Sequence, residues 1–241
     1  MAATTATLGV TSEYVFRGID SSAGAAVQGS LDWSDGGFYL GSWASNTAGS
    51  TSSACVGFLV PGTALTDPVV STCSGLPSGG TELDLYGGYK FKAMEDVEID
   101  LGAIYYLFPE NEEKGFPDTD YPEIYAGLNI GGFSGKLYYT NDFFNVEDFA
   151  GANDGDSVYV NLGYTFTLKE GLTLKAALGH QSGDGAEAFF GDDVTDYALT
   201  LAKTLDNGFG ASFAIVGTDL DTPAFEDDPK VVVTLSKGFE I

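Results

Sequence analysis

The sequence predicts an all-β protein, a transmembrane antiparallel up-and-down β-barrel of 12 strands with short periplasmic turns and long extracellular loops. Segments of about ten residues alternate between apolar and polar side chains, which indicates strands with a different solvent on each face. The number of these segments is even, and short and long connections alternate between them. No segment approaches the roughly 20 consecutive apolar residues of a membrane-spanning helix, which excludes a helical membrane protein.

The first predicted strand covers residues 6–20 and contains the chain's only arginine, Arg17. One of its faces is mostly apolar, and we expect it to meet lipid: Leu8, Val10, Tyr14 and Phe16. The other face is small, polar or charged. We expect it to meet water inside the barrel, with Arg17 near the extracellular end.

The next strands are predicted at residues 25–34, 38–46, 82–92, 97–108 and 121–130. The first two are joined by a glycine turn, Asp35-Gly36-Gly37, because glycine reaches positive φ without steric cost. In the strand 38–46 the outward face is ambiguous, since Phe38 and Leu40 compete with Tyr39 and Trp43.

The remaining strands are predicted at residues 133–143, 157–168, 171–181, 194–204, 209–219 and 230–241. The strand 157–168 alternates almost without interruption. Aromatic residues fall near strand ends on the outward face, where outer-membrane barrels carry aromatic girdles. They are Tyr14, Trp33, Tyr89, Tyr105, Tyr164, Phe166 and Phe239.

We interpret residues 1–241 as a single barrel domain in its mature form, with Met1 added or retained. Residues 47–80 form the longest extracellular loop, which contains Cys55 and Cys73. Two cysteines in a Ser/Gly/Pro-rich loop predict a disulfide formed in an oxidising compartment. Two thiols are too few for a structural zinc site.

The chain has 35 acidic and 10 basic residues, a formal charge of −25. This charge excludes nucleic acid as a partner on electrostatic grounds and favours cations. Most acidic residues fall in the long connections, so the extracellular mouth is expected to be strongly anionic.

Several segments together resemble the TorF-like porin family of proteobacterial outer-membrane proteins: residues 11–18 (TSEYVFRG), 28–32 (QGSLD), 37–46 (GFYLGSWASN), 82–89 (ELDLYGGY) and 122–127 (PEIYAG). Beyond about residue 130 the likeness is mainly in periodicity. The cysteine loop is longer than this resemblance leads us to expect, and the chain ends in Ile241 rather than a terminal aromatic, a role Phe239 could fill. The resemblance implies a porin in the bacterial outer membrane.

The inward faces predict a mixed, mainly acidic lumen. Its predicted pore-lining residues are Glu13, Arg17, Asp32, Glu82, Asp84, Lys90, Glu98, Asp100, Glu123, Lys136, Asp142, Lys175, Asp196 and Glu240. Twelve strands enclose a narrow lumen, which predicts a passive channel for small, preferentially cationic or polar solutes and no enzyme activity. The alternative is a closed barrel in which these charges form ion pairs, and whose acidic loops bind a partner, a surface or a divalent cation.

For Arg17 two interpretations stand: a constriction with Glu13 or with a carboxylate on the second or twelfth strand, or a structural ion pair at the strand end. The expected partners of the whole chain are outer-membrane lipid, lipopolysaccharide and small solutes or cations, with no cofactor.

The acidic loops, including Asp154-Gly155-Asp156 and residues 184–187, could bind Ca²⁺ or be bridged by divalent ions to lipopolysaccharide. A solvated anionic surface is the simpler interpretation. The third function considered is an outer-membrane lipase, because the only histidine, His180, is close to Ser182, but the sequence offers no nucleophile motif.

Overall fold

The computed structural model describes residues 2–22, 24–47, 80–109, 118–149, 152–222 and 227–241. Apart from a small hairpin of β2 (Val15–Phe16) and β3 (Ile19–Asp20), twelve antiparallel strands close into a barrel. These are β1 (Ala3–Thr11), β4 (Ala26–Asp35), β5 (Phe38–Asn46), β6 (Thr81–Met94), β7 (Val97–Leu107), β8 (Tyr121–Ile130), β9 (Phe133–Thr140), β10 (Ser157–Lys169), β11 (Leu172–Ser182), β12 (Val194–Thr204), β13 (Phe209–Thr218) and β14 (Lys230–Glu240). The predicted fold class is confirmed.

Each barrel strand pairs with its neighbour along the chain, and β1 closes the barrel by pairing with β14. In that closing register Thr5 lies opposite Glu240 and Val10 lies opposite Leu235. Closure leaves no sheet edge with unpaired backbone groups, which is the condition for crossing a lipid bilayer with strands.

The two ends of the barrel differ. At one end, here called the turn end, strands are joined by short turns such as Gly36-Gly37 between β4 and β5 and Gly131-Gly132 between β8 and β9, and both chain termini lie there. At the other end, here called the loop end, the strands are joined through residues 12–25, 47–80, 108–120, 141–156, 183–193 and 219–229, of which 23, 48–79, 110–117, 150–151 and 223–226 lie outside the described residues. The predicted disulfide between Cys55 and Cys73 lies outside the described residues.

The outer face of the barrel is apolar. Large side chains that a soluble protein would bury are exposed there, and they occupy alternate positions along each strand. On β5 the ambiguity is resolved, because Phe38 and Leu40 point outward (61% and 62% exposed), while Tyr39 and Trp43 share the inward face with Ser45. Of the aromatic residues expected on the outer face near strand ends, Tyr14 is buried and the others are exposed as predicted. The exposed residues are Trp33, Tyr89, Tyr105, Tyr164, Phe166 and Phe239.

The prediction of one strand over residues 6–20 is wrong. The barrel strand β1 ends at Thr11, and the chain then forms a small hairpin from β2 (Val15–Phe16) and β3 (Ile19–Asp20). Tyr14 and Phe16, expected to face lipid, belong to this hairpin, and Tyr14 is 9% exposed. The alternation of apolar and polar residues continues through the break because a hairpin strand has the same two-residue period as a barrel strand.

Strand β9 also ends earlier than predicted, at Thr140 rather than residue 143. A 3₁₀ helix, Phe143–Asn145, and a short helix, Val146–Phe149, follow it at the loop end. Phe143 of the 3₁₀ helix packs with Ala186 and Phe190 of the helix Asp184–Phe190 in a buried apolar cluster. Among the described residues, no helix has the length and apolar character needed to cross a bilayer.

Candidate functional site

The β2–β3 hairpin folds into the barrel and forms the centre of the candidate site. Its turn consists of Arg17 and Gly18, which both have positive φ (48° and 82°), as a type I′ turn requires. A Cβ atom on Gly18 would lie 2.7 Å from Asp196 Cβ on β12 and 3.0 Å from Thr218 Cβ on β13. The tip of the hairpin therefore packs against the barrel wall and leaves no room for a side chain at position 18.

The Arg17 side chain is buried (7% exposed) against the inward faces of four strands. Its Nη2 donates to Glu123 Oε2 on β8 at 2.6 Å, and its Nη1 donates to Gln181 Oε1 on β11 at 3.2 Å. The guanidinium carbon lies 4.2 Å from the ring centre of Tyr159 and 5.1 Å from that of Tyr138. A planar guanidinium can make all these contacts at once, whereas a lysine ammonium cannot.

This arrangement corrects the expected partners of Arg17. The sequence suggested Glu13 or a carboxylate on the second or twelfth strand, but the partner is Glu123, on the sixth barrel strand. Arg17 also lies inside the barrel at the tip of a hairpin, and not at the end of a membrane-crossing strand.

The base of the hairpin is fixed by hydrogen bonds and one ion pair. Ser21 N donates to Tyr14 O at 2.7 Å, and Tyr14 N donates to Ser22 Oγ at 2.6 Å. Lys230 Nζ on β14 lies 2.9 Å from Asp20 Oδ2. The hairpin is thus attached to the wall at its base as well as at its tip, so that it spans the interior.

Two carboxylates on β6 lie close to each other inside the barrel. Glu82 and Asp84 are two residues apart on the inward face of β6 and are 4% and 7% exposed. Their side chains are near enough to interact directly. Tyr14 Oη on the hairpin donates to Glu82 Oε1 at 2.9 Å. The Asp84 side chain interacts electrostatically with Glu123 as well, and of these three carboxylates only Glu123 is paired with Arg17.

A row of tyrosines lines the wall on the turn-end side of Arg17. The rings of Tyr125, Tyr138 and Tyr159, on β8, β9 and β10, follow one another with centres 5.5 and 5.9 Å apart. Lys136 Nζ lies 3.6 Å from the ring centre of Tyr125 and 3.6 Å from Asp100 Oδ2. The sequence did not single out these tyrosines, although they share the inward parity of Glu123, Lys136 and Asn161 on the same three strands.

A cavity of about 330 Å³ lies between the hairpin and this wall. Its polar lining includes Arg17, Asp100, Lys136, Asn161 and Lys175, and the rings of Tyr106, Tyr138 and Tyr159 complete it. The cavity is therefore a polar space beneath the hairpin.

The structure places most of the predicted pore-lining residues on the inward faces of the barrel strands. Asp32 accepts a hydrogen bond from Tyr86 Oη at 2.5 Å, Asp196 accepts one from Tyr159 Oη at 2.9 Å, and Lys90 lies 4.7 Å from the ring centre of Tyr39. The members on inward faces are Asp32, Glu82, Asp84, Lys90, Glu98, Asp100, Glu123, Lys136, Lys175, Asp196 and Glu240.

Two predicted pore-lining residues lie elsewhere. Glu13 belongs to the half-buried segment between β1 and β2. Asp142 lies beyond the end of β9 at the loop end, where it forms an isolated bridge with Gly155 and its Oδ1 accepts from Glu147 N at 3.4 Å. Its position follows from the early end of β9.

His180 points outward from β11 and is about half exposed. Its Nδ1 lies 3.2 Å from Thr195 Oγ1, and its Nε2 lies 3.9 Å from Asp193 Oδ2. A serine nucleophile within reach of the imidazole would be needed for the lipase hypothesis. The hydrogen-bond partner of the imidazole is a threonine on the neighbouring strand β12.

At the loop end, the two acidic segments singled out from the sequence come together. One carboxylate oxygen of each of Asp154, Asp156 and Asp184 lies within 4.8 Å of the others. Burial raises the pKa of the Asp156 carboxyl, and the negative charges of Asp154 and Asp184 raise it further. Repulsion between these carboxylates is therefore a local cost of the fold, and Ca²⁺ binding there stays a prediction.

Comparison with known proteins gives a family and a fold. The sequence profile of a family described as "Bacterial protein of unknown function (Gcw_chp)" matches residues 2–239. Among curated proteins there is no significant match. Similar solved structures are a NanC porin (TM-score 0.60, 11% identity, 97% of this chain and 100% of that chain), a KdgM porin in complex with disordered oligogalacturonate (0.53, 10%, 99% and 99%) and an outer membrane channel from Pseudomonas putida F1 (0.50, 14%, 100% and 96%).

Proposed function

Because the chain belongs to the Gcw_chp family of bacterial proteins, whose description assigns no activity, we propose a function from the barrel itself: an outer-membrane, porin-like passive channel for small, preferentially cationic or polar solutes. The observation that carries this proposal is the polar interior of a closed barrel whose outer face is apolar. A barrel that exposes aliphatic and aromatic side chains outside and ionic groups inside is suited to lipid around it and water within it. The finer resemblance to TorF-like porins is part of the same proposal.

Cation preference is supported by the charges inside. The inward carboxylates outnumber the inward cations, and two of those cations are held by carboxylates: Arg17 by Glu123 and Lys136 by Asp100. A ring of acidic side chains raises the local concentration of cations and repels anions.

The ligand of one structural neighbour is an instructive contrast. Oligogalacturonate, present in the KdgM porin structure, is a chain of carboxylate-bearing sugars. Recognition of such a polyanion calls for several unpaired guanidinium or ammonium groups. Of the predicted pore-lining cations, Arg17 is held by Glu123 and Lys136 by Asp100, which leaves Lys90 and Lys175, so we propose a different solute class.

A second candidate is a non-conducting barrel, favoured by the hairpin that spans the interior and by the apolar cluster at the loop end. In that cluster Tyr121, Phe143 and Phe190 are packed together. The loop end would then serve as a binding surface for lipopolysaccharide, another partner or a divalent cation.

Recording from single proteins in a planar bilayer under a salt gradient tests the proposal. We expect a small conductance with a reversal potential that shows cation selectivity. Replacing Asp100 by Asn should weaken this cation selectivity because Lys136 loses its partner. Tyr197→Phe, a change on the outward face of β12, is the matched control and should record like the wild type. Anion preference or absence of conductance in the wild type would overturn the channel proposal.

A further inference from the structure

The Glu82–Asp84 pair has a charge imbalance that the described side chains do not resolve. Glu82 and Asp84 interact with each other, and Asp84 also interacts electrostatically with Glu123, but of these three carboxylates only Glu123 forms an ion pair among the described residues, with Arg17. Lys136 is held by Asp100 at 3.6 Å. If all three carboxylates are ionised, this part of the interior keeps two uncompensated negative charges, and burying such charges is costly.

Two orphaned polar atoms lie on the same row of the wall. Among the described residues, Asp84 Oδ1 and Tyr121 Oη are buried side-chain atoms without a hydrogen-bond partner. Asp84 lies opposite Tyr106 on β7, and Tyr106 lies opposite Tyr121 on β8, so that the orphaned atoms belong to one cross-strand row. Buried polar atoms without a partner are uncommon and call for a ligand, a water molecule or an ion.

The neighbouring atoms show what kind of ligand would satisfy this row. Glu82 Oε1 accepts a hydrogen bond from Tyr14 Oη, and Glu123 Oε2 accepts from Tyr106 Oη at 3.0 Å as well as from Arg17. Asp84 Oδ1 therefore stays the buried acceptor of this row that no donor of the described residues satisfies. All-oxygen ligand sets with carboxylates suit hard cations, and Ca²⁺ tolerates an irregular set completed by water better than Mg²⁺ does.

We infer that Glu82 and Asp84 form a binding site for a divalent hard cation inside the barrel, with Ca²⁺ as the fitting ion. One such ion supplies the two missing positive charges and gives Asp84 Oδ1 its absent partner. The site is separate from the carboxylate group at the loop end formed by Asp154, Asp156 and Asp184. It extends the proposed cation-preferring passage, because a permeating cation would meet this pair beside the hairpin.

Terbium luminescence tests the site on the purified full-length protein in detergent. Tb³⁺ replaces Ca²⁺ at oxygen sites and emits when a nearby tyrosine is excited, and Tyr14 donates a hydrogen bond directly to Glu82. We expect saturable Tb³⁺ emission that added Ca²⁺ reverses. In Asp84→Asn the affinity should fall at least tenfold, and Glu82→Gln should lower it as well.

Two control variants separate this site from other carboxylates. Asp32→Asn removes an inward carboxylate that Tyr86 already satisfies, and it should bind Tb³⁺ like the wild type. A triple change to Asn at positions 154, 156 and 184 should leave the tyrosine-sensitised emission in place. Loss of the emission in this triple variant, or wild-type affinity in Asp84→Asn, would overturn the inference.

An infrared measurement on the wild type covers the case in which the variants fail to fold. A bound cation leaves both carboxyl groups ionised, whereas an empty site at this burial would hold a proton on one of them. A protonated-carboxyl band near neutral pH that Ca²⁺ does not remove contradicts the inference. Tb³⁺ binding in detergent does not depend on ion conduction, so the two proposals can fail separately. A protein that conducts ions but does not bind Tb³⁺ at Glu82 and Asp84 refutes only this site. A protein that binds Tb³⁺ there but does not conduct refutes only the channel.

Discussion

Replacing Arg17 by Ala is expected to release the hairpin from the barrel wall. The change removes two hydrogen bonds, to Glu123 at 2.6 Å and to Gln181 at 3.2 Å, and leaves the Glu123 carboxylate (2% exposed) without its cation. Removing one partner of a buried ion pair costs about 3–5 kcal/mol. At about 1.4 kcal/mol per factor of ten, the ratio of released to docked hairpin rises roughly 140- to 3,700-fold.

Tryptophan fluorescence measures this release directly. The chain has two tryptophans, and Trp43 lies inside with its ring centre 5.2 Å from that of Tyr14, whereas Trp33 points outward. In a Trp33→Phe background, release of the hairpin should shift Trp43 emission to longer wavelength and make it more accessible to a soluble quencher. Thermal unfolding in detergent should occur at lower temperature in the same variant.

The double variant Arg17→Ala/Glu123→Gln is the decisive control. It removes the orphaned charge together with the guanidinium, so a large part of the lost stability should return. The thermal stability of Arg17→Lys should lie between those of the wild type and Arg17→Ala, because lysine keeps the positive charge but loses the planar guanidinium that bonds two partners at once. If Arg17→Ala leaves both Trp43 emission and thermal unfolding unchanged, Arg17 does not hold the hairpin.

Three further outcomes are expected. Gly18→Ala should displace the hairpin tip, because its Cβ would lie 2.7 Å from Asp196 Cβ at a positive φ; a wild-type Trp43 signal in this variant would contradict the packing. Asp156→Asn should be more stable than the wild type at neutral pH and lose that advantage as pH falls, since a carboxyl with a raised folded-state pKa favours folding only when protonated; melting curves across pH decide this. Mass spectrometry after alkylation should find Cys55 and Cys73 unlabelled until a reductant is added, and labelling without reductant would disprove their disulfide.

The barrel could be predicted from the sequence because the alternation of apolar and polar residues that indicates it is a local property of each strand. Alternation fixes which face of a strand meets which solvent, so the inward positions of Glu82, Asp84 and Glu123 follow from their parity alone. Three strands, residues 38–46, 121–130 and 194–204, have the bounds that the sequence predicts.

The hairpin and its partners could not be predicted in the same way. Tyr14 and Phe16 continue the parity of Leu8 and Val10, so that periodicity alone does not show where β1 ends. The Arg17-Gly18 pair is a turn signal in retrospect, because glycine favours the positive φ that the turn needs. The Arg17–Glu123 contact joins residues 106 positions apart, and such a pairing depends on how deep the hairpin reaches into the closed barrel.

The hairpin also changes what the acidic interior can do. Arg17 neutralises Glu123 and forms no ion pair with Glu82 or Asp84, so that this pair stays available to a cation. A cation bound to that pair would cancel the negative charge that favours cations in a passage beside the hairpin. Cation occupancy and cation preference are therefore opposed at the same carboxylates, and the preference should be strongest when the divalent cation is removed at a pH high enough to ionise both carboxyl groups. In a narrow barrel with one arginine, the net charge of the interior would thus depend on whether a cation is bound to Glu82 and Asp84.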